Sequence, residues 1–154
     1  MSSLQWARDL AEFISSNYCG RVVEVGAGHY ADVAQELCAQ GLEVVLTDRE
    51  QRLLGCLKVE KDDIFSPRPE LYRDAGLIYS IRPPLEMQLA MGAVAAMIGA
   101  DVLVRPLMDE VAELPGFSRR LINYGQARFY LYLPRMIPLP APHSQCTLAL
   151  QKNK

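Results

Sequence analysis

Histidine and cysteine are scarce in this sequence, with two His and four Cys among its 154 residues. Cys19, Cys38, Cys56 and Cys146 are far apart and form no C-x-x-C pair, whereas zinc sites commonly take their thiolates from such pairs. We therefore expect neither a metal site nor a disulfide scaffold, and we expect the thiols to be reduced and buried. Two histidines also give little support to a Ser-His-Asp or Cys-His hydrolase.

Long hydrophobic runs are absent as well. The most apolar stretch, residues 85–104, is interrupted by Glu86, Gln88, Asp101 and two glycines, whereas a transmembrane helix needs about 20 mostly apolar residues. The N-terminal residues carry charges where a signal peptide would have its apolar segment. The sequence therefore predicts a cytoplasmic protein with no membrane partner.

Neither sign of charge dominates. The chain has 16 Lys and Arg residues against 18 Asp and Glu residues, a net charge of −2, whereas a protein that binds nucleic acid by neutralising phosphates should be basic. Nucleic acid is therefore not supported as a partner. Half of the residues are hydrophobic, which is typical of a globular chain, and the length favours a single domain.

The spacing of the apolar residues predicts alternating helices and strands. Helical spacing occurs over residues 3–15, 30–40 and 84–98. Five short apolar runs are typical of buried parallel strands, at residues 21–28, 42–48, 55–63, 76–84 and 100–106. This order predicts a three-layer α/β/α domain with a mostly parallel sheet, in which ligands bind at the carboxyl ends of the strands.

Two connections in this predicted sheet are too short for a complete helical crossover. Ten residues separate Asp48 from Val59, fewer than the dozen or more that a parallel crossover normally takes. Thirteen separate Asp63 from Leu77, and they include Pro67 and Pro69. We therefore expect these helices to be short or missing.

The C-terminal third of the chain has a different pattern. Residues 119–133 are two strand-like runs around an Asn-Tyr-Gly turn, which predicts an antiparallel hairpin. We predict a minimal Rossmann-like domain over residues 1–133 and a proline-rich C-terminal extension over residues 134–154. Within that extension, residues 145–151 are a candidate edge strand.

A glycine motif follows the first strand. Gly26-x-Gly28-x-x-Ala31 matches the dinucleotide-binding pattern, whose glycines let the backbone approach a ligand. Asp48 ends the second strand twenty residues after Gly28, where a carboxylate can accept hydrogen bonds from ribose hydroxyls. This pattern alone is compatible with NAD.

Glu24 distinguishes this motif from a nicotinamide site. Strands that bind nicotinamide nucleotides usually have an apolar residue two positions before the first glycine, because the pyrophosphate is anionic. An acid there resembles the D/E-x-G-x-G motif of class I S-adenosylmethionine-dependent methyltransferases, whose ligand carries a sulfonium and an ammonium group that an acid attracts. The resemblance implies S-adenosylmethionine as cofactor, with Glu24 near its methionine end and Asp63, in the Asp62-Asp63 pair, on its adenine amine. Tyr30 replaces the usual third glycine and is expected near the methionine end.

The resemblance extends to a narrower family. Over roughly residues 4–133 the chain resembles an uncharacterised family of small archaeal Rossmann-like proteins. The most specific string is IYSIRPP, and the others are RVVEVGAGHYADVA, VVLTD, KDDIFSPRPELYRDAGLIYSIRPP, GADVLVRPL and INYGQARFYLY. This resemblance implies the fold and a methyltransferase-like pocket, and it implies no particular reaction.

Two arginines follow the fourth and fifth predicted strands. Amino-methyltransferases carry an Asn/Asp/Ser-Pro-Pro-aromatic motif after the fourth strand, whereas here the match is Arg-Pro-Pro-Leu, beginning at Arg82. Arg105-Pro repeats the arrangement after the fifth strand. A fixed cation repels an ammonium nucleophile, and two adjacent guanidinium groups suit a carboxylate or phosphate. The alternative is that Arg82 and Arg105 form ion pairs with Asp48, Asp63 or Asp109.

His29, in the glycine loop, and Tyr79, on the fourth strand, are the remaining candidates for acid–base work, and the catalytic residues stay unassigned. Three functions remain open. The first is binding of S-adenosylmethionine or S-adenosylhomocysteine, with methyl transfer to an unidentified acceptor. The second is a non-catalytic nucleotide-binding or sensing module, and the third is an NAD-type dinucleotide binder. The sequence leaves the oligomeric state open, including a homodimer.

Overall fold

The computed structural model describes residues 4–135 of the chain. Within these residues the chain forms four helices: α1 (Gln5–Asn17), α2 (Asp32–Ala39), α3 (Pro69–Tyr72) and α4 (Leu85–Ile98). It also forms eight strands: β1 (Arg21–Val25), β2 (Glu43–Asp48), β3 (Arg52–Leu54), β4 (Leu57–Lys61), β5 (Ala75–Ile81), β6 (Asp101–Arg105), β7 (Phe117–Tyr124) and β8 (Ala127–Pro134). The candidate edge strand at residues 145–151 lies outside the described residues.

All eight strands belong to one sheet, in the order β3-β4-β2-β1-β5-β6-β8-β7. Its five central strands, from β4 to β6, run parallel to one another. At one edge β3 pairs antiparallel with β4, and at the other the β7–β8 hairpin joins β6 antiparallel through β8. The predicted α/β class, the mostly parallel sheet and the C-terminal hairpin are therefore confirmed.

The core has a layer on each face of the sheet. On one face, α1 and α2 cover side chains such as Leu77 and Tyr79 of β5. On the other face, α4 covers Ile78 of the same strand together with Val102 of β6. Successive residues of a strand point to opposite faces, so this alternation buries both sides of the sheet.

The two short connections are built without full helices, as expected. Between β2 and β4 the chain forms β3, an edge strand that the sequence analysis did not predict. Between β4 and β5 it forms only the four-residue α3, whose Tyr72 is 1% exposed. Among residues 4–135 no long helix covers the β4 end of the sheet, and the loops after β2 and β4 line the cleft there directly.

Several local predictions differ from the structure. Helix α2 begins at Asp32 rather than Tyr30, and it buries Val33, Ala34 and Leu37. Tyr30 is 72% exposed, because the glycine loop continues past it. The prediction of buried thiols is wrong for the cysteines among residues 4–135, since all three of them lie at the surface. None of the helices in this part of the chain is long and apolar enough to cross a membrane.

Candidate functional site

The site is built around the loop that follows β1. Gly26 and Gly28 have φ angles of +69° and +61°, a region that glycine adopts without steric cost. The N–H of Ala27 donates a 2.9 Å hydrogen bond to the carbonyl of Thr47 at the end of β2. A Cβ atom at Gly26 would lie 3.3 Å from the sulfur of Met87. The loop is therefore held tightly, and a side chain at Gly26 would crowd Met87.

Two cavities meet at Gly26, one on each side of the loop. The β2 cavity has a volume of about 410 Å³ and is lined by Asp48 and Asp63, among others. The α1 cavity, of about 620 Å³, is lined by residues that include Trp6, Glu24 and Arg82. Both volumes are in the range typical of small-molecule sites.

Glu24 lies on β1 at the base of the α1 cavity and is 3% exposed. Its carboxyl oxygen accepts a 2.7 Å hydrogen bond from the hydroxyl of Tyr79. The pKa of Glu24 is raised to about 8, chiefly by burial; the hydrogen bond from Tyr79 opposes this shift, and the charge of Asp32 adds to it. At neutral pH this carboxyl group is therefore largely protonated, and a nearby cation would favour its ionised form.

Tyr79 is fully buried within the sheet. Burial raises the pKa of its phenol well above the usual value, so it stays protonated and acts as a donor to Glu24. Tyr79 is connected to the α1 cavity through this hydrogen bond, because Glu24 lines that cavity.

Asp48 ends β2 and lines the β2 cavity. One of its oxygens forms an ion pair with Arg52, the first residue of β3. The same guanidinium nitrogen of Arg52 donates a 2.7 Å hydrogen bond to the carbonyl of Gly28. Arg52 thus joins the acid of β2 to the glycine loop. This role was not predicted from the sequence, although an arginine four residues after Asp48 in a short connection was the available signal.

The two neighbouring aspartates after β4 are used differently. Asp62 is buried, and both of its oxygens are occupied, by the N–H of Arg68 and the hydroxyl of Tyr72, each at 2.8 Å. Asp63 is exposed and accepts a 2.9 Å hydrogen bond from the N–H of Phe65 through one oxygen. Asp62 therefore holds the loop, and Asp63 retains a carboxylate oxygen for a ligand in the β2 cavity.

Arg82 and Arg105 lie side by side at the ends of β5 and β6. Arg105 pairs in register with Ile81, and the N–H of Arg82 donates a 2.6 Å hydrogen bond to the carbonyl of Arg105. The guanidinium carbon of Arg105 lies 3.7 Å from the centre of the Trp6 ring. Among residues 4–135 neither arginine forms an ion pair with a carboxylate. The alternative, in which Asp48, Asp63 or Asp109 neutralises them, is therefore not found in this part of the chain.

His29 and Tyr30 are exposed residues that line the α1 cavity. Both lie on the glycine loop, between its second glycine and the start of α2. They are placed to contact a ligand at the outer edge of this cavity, and the structure assigns no proton-transfer partner to either.

Gln88 on α4 is a supporting residue that the sequence analysis did not single out. It is fully buried, and its amide group donates to the carbonyls of Pro83 and Glu110 at 3.0 and 2.7 Å. Its oxygen accepts a 2.8 Å hydrogen bond from the N–H of Ala112. Gln88 therefore connects the loop after β5 to the loop after β6. Arg82 begins the first of these loops, and Arg105 is the last residue before the second.

The sequence comparisons identify close archaeal relatives. The chain matches the model of the Uncharacterised protein family (UPF0146) over residues 6–133. A UPF0146 protein of Archaeoglobus fulgidus is 41% identical over 124 residues, which cover 79% of this chain and 91% of that protein.

The solved structures that are similar include methyltransferases. An S-adenosyl-L-methionine methyl transferase from Silicibacter pomeroyi DSS-3 matches with a TM-score of 0.55 and 17% identity, over 86% of this chain and 92% of that chain. The glycopeptide N-methyltransferase MtfA, complexed with (S)-adenosyl-L-homocysteine, matches with a TM-score of 0.51 and 15% identity, over 83% of this chain and 71% of that chain. Streptomyces venezuelae DesVI matches with a TM-score of 0.52 and 15% identity, over 86% of this chain, which spans only 64% of its length. At these identities the similarity shows that the fold is shared.

Proposed function

The chain belongs to the UPF0146 family, and we propose that it binds S-adenosylmethionine or S-adenosylhomocysteine across the β2 and α1 cavities. The observation that carries this proposal is the order of the acids along the carboxyl edge of the sheet. Asp63 follows β4, Asp48 ends β2 and Glu24 lies near the end of β1. These strands are neighbours in that order, and residues of the glycine loop line both cavities. The fold shared with methyltransferases supports the same ligand.

The residues present fit each part of this ligand. Asp63 has a carboxylate oxygen available for the adenine amine, and Asp48 is placed to accept hydrogen bonds from the ribose hydroxyls. Gly26 lines both cavities and has no side chain to separate them, and a ligand that spans the two cavities would lie against its backbone. The carboxyl group of Glu24 is placed to face the positive charges of the methionine end.

Methyl transfer would require few catalytic groups from this chain. S-adenosylmethionine supplies an activated methyl group, so displacement depends mainly on holding donor and acceptor in line. The residues around the two cavities provide that positioning, and a general base is not required for an acceptor that is already nucleophilic. The methyl acceptor would enter from the α1 cavity, beside Arg82.

Calorimetric titration tests the binding proposal. We expect S-adenosylmethionine and S-adenosylhomocysteine to bind, and NAD and NADP to bind at least tenfold more weakly. Loss of charge-assisted ribose hydrogen bonds costs on the order of 1.5–3 kcal/mol, so Asp48→Ala should weaken S-adenosylhomocysteine about tenfold or more. Asp109→Ala removes an exposed acid outside both cavities and is the matched control.

Tighter binding of NAD than of S-adenosylmethionine would replace this proposal with the dinucleotide function. A transfer assay with S-adenosylmethionine carrying a tritiated methyl group, run on cell extract, then separates an enzyme from a non-catalytic binding module. Incorporation that Asp48→Ala abolishes and Asp109→Ala preserves would identify an enzyme.

A further inference from the structure

Resting on the proposed function, we propose that Arg82 and Arg105 form an oxyanion site for the methyl acceptor, which is then a small molecule carrying a carboxylate or phosphate. The site lies at the ends of β5 and β6, beyond β1 on the side away from β2 and β4. Adjacent strands are about 4.8 Å apart. The end of β6 is therefore about two strand spacings from the glycine loop, on the acceptor side of the donor.

The two arginines lie close enough for their charges to interact, and both are near Trp6. Arg82 lines the α1 cavity together with Trp6, and Arg105 stacks on the ring of that tryptophan. Strand alternation would turn Arg82 to the opposite face from Ile81. Arg82, however, follows the end of β5 with a φ of +57°, a left-handed conformation uncommon for a residue with a side chain. The chain thus adopts a strained turn where it directs this cation into the cavity.

The charges of the arginines are not neutralised within the described part of the chain. Neither guanidinium forms an ion pair with a carboxylate of residues 4–135, and burial together with the charge of Arg82 lowers the pKa of Arg105. Arg82 is exposed, but Arg105 is partly buried, and partly buried charges normally have a partner because desolvation is costly. An anion that bridges both groups would supply one.

The stacking on Trp6 leaves Arg105 suited to this role. Contact through the flat face of a guanidinium group uses none of its N–H donors, which lie in its plane. The ring fixes the orientation of Arg105, while Gln88 ties together the two loops behind the arginines. Arg105 can therefore bind an oxyanion without a large loss of side-chain freedom, and Arg82 can reach the same anion from the end of the neighbouring strand.

Binding of inorganic phosphate to the protein saturated with S-adenosylhomocysteine tests this site. We expect saturable phosphate binding by calorimetry, weakened at least tenfold in Arg82→Gln and in Arg105→Gln, and weakened by a larger factor than the affinity for S-adenosylhomocysteine in the same variants. Arg119→Gln is the matched control, because Arg119 is an exposed arginine on β7 that also lies over an aromatic ring, that of Tyr130. Since Arg82 is exposed, Arg82→Gln tests the site even if Arg105→Gln unfolds the chain.

Three results would overturn this inference. The first is the absence of saturable phosphate binding, and the second is phosphate binding that survives Arg82→Gln. The third is competition between phosphate and S-adenosylhomocysteine, combined with weaker binding of S-adenosylhomocysteine by Arg82→Gln. That combination would mean that Arg82 binds the carboxylate of the methyl donor itself. In each case the binding of S-adenosylhomocysteine by the unmodified protein is measured separately, so the proposed function is judged on its own result.

Discussion

Tyr79 and Glu24 are partners in register on the adjacent strands β5 and β1, and the tyrosine hydroxyl donates a 2.7 Å hydrogen bond to the carboxyl group. A glutamate at this depth would normally be costly, because desolvation penalises its charge. Protonation avoids that cost, and the hydrogen bond satisfies the carbonyl oxygen that remains. The chain therefore keeps an acid beneath the glycine loop in a neutral form that a cationic ligand can ionise.

Glu24 makes the stability of the ligand-free protein depend on pH. Its pKa is raised from an ordinary value of 4.5 to about 8 in the folded chain. Between pH 4.5 and pH 8 the native state therefore binds more protons than the unfolded state. The free energy of unfolding should fall as pH rises from 4.5 to 8, by an amount on the order of 4–5 kcal/mol. Glu24→Gln should remove this contribution. Urea unfolding of both proteins at several pH values measures the difference.

Tyr79→Phe extends this experiment. The hydrogen bond from Tyr79 favours the charged carboxylate, so its loss should raise the pKa of Glu24 and carry the fall in stability to higher pH. A buried acceptor without its donor also costs about 1–3 kcal/mol. If stability in Tyr79→Phe levelled off at a lower pH than in the unmodified chain, the hydrogen bond would not favour the ionised acid.

The same titration predicts how the ligands should be distinguished. S-adenosylmethionine carries a sulfonium charge that S-adenosylhomocysteine lacks, and only an ionised Glu24 attracts it strongly. The ratio of their affinities should therefore shift towards S-adenosylmethionine as pH rises from 6 to 9. Glu24→Gln controls for titration of the ligands themselves. A ratio with the same pH dependence in that variant would place the sulfonium away from Glu24.

The sequence predicted the fold well, because its signals there are local and repeated. Alternating apolar runs, glycines and short connections specify a parallel sheet in which two of the connections have little room for a helix. The supporting contacts of the site could not be predicted in the same way. Arg52 reaches back to Gly28, and Gln88 joins loops on two strands, so each role depends on contacts between segments distant in the sequence. Asp62 and Asp63 are adjacent and alike, and the buried one is distinguished by its hydrogen bonds to Arg68 and Tyr72.

Gly26 and Gly28 offer a matched pair for testing the loop. Both have positive φ angles, so alanine at either position should cost about 1–2 kcal/mol of stability. At Gly28 an added Cβ meets open space, whereas at Gly26 it would contact the sulfur of Met87 at 3.3 Å. Gly26→Ala should therefore be the more destabilising change, and it should weaken S-adenosylhomocysteine at least tenfold. Equal effects of both variants on stability and affinity would show that crowding at Gly26 has no role.

Arg52 is expected to orient Asp48 for the ligand, since it holds one carboxylate oxygen while also binding the carbonyl of Gly28. Arg52→Gln should weaken S-adenosylhomocysteine about fivefold, corresponding to the loss of about 1 kcal/mol from one orienting hydrogen bond. If the effect acts through Asp48, Arg52→Gln should have little further effect in a chain that already carries Asp48→Asn. Calorimetric titration of both single variants and the double variant measures this coupling. A full fivefold loss in the Asp48→Asn background would instead mean that Arg52 acts through the glycine loop or touches the ligand itself.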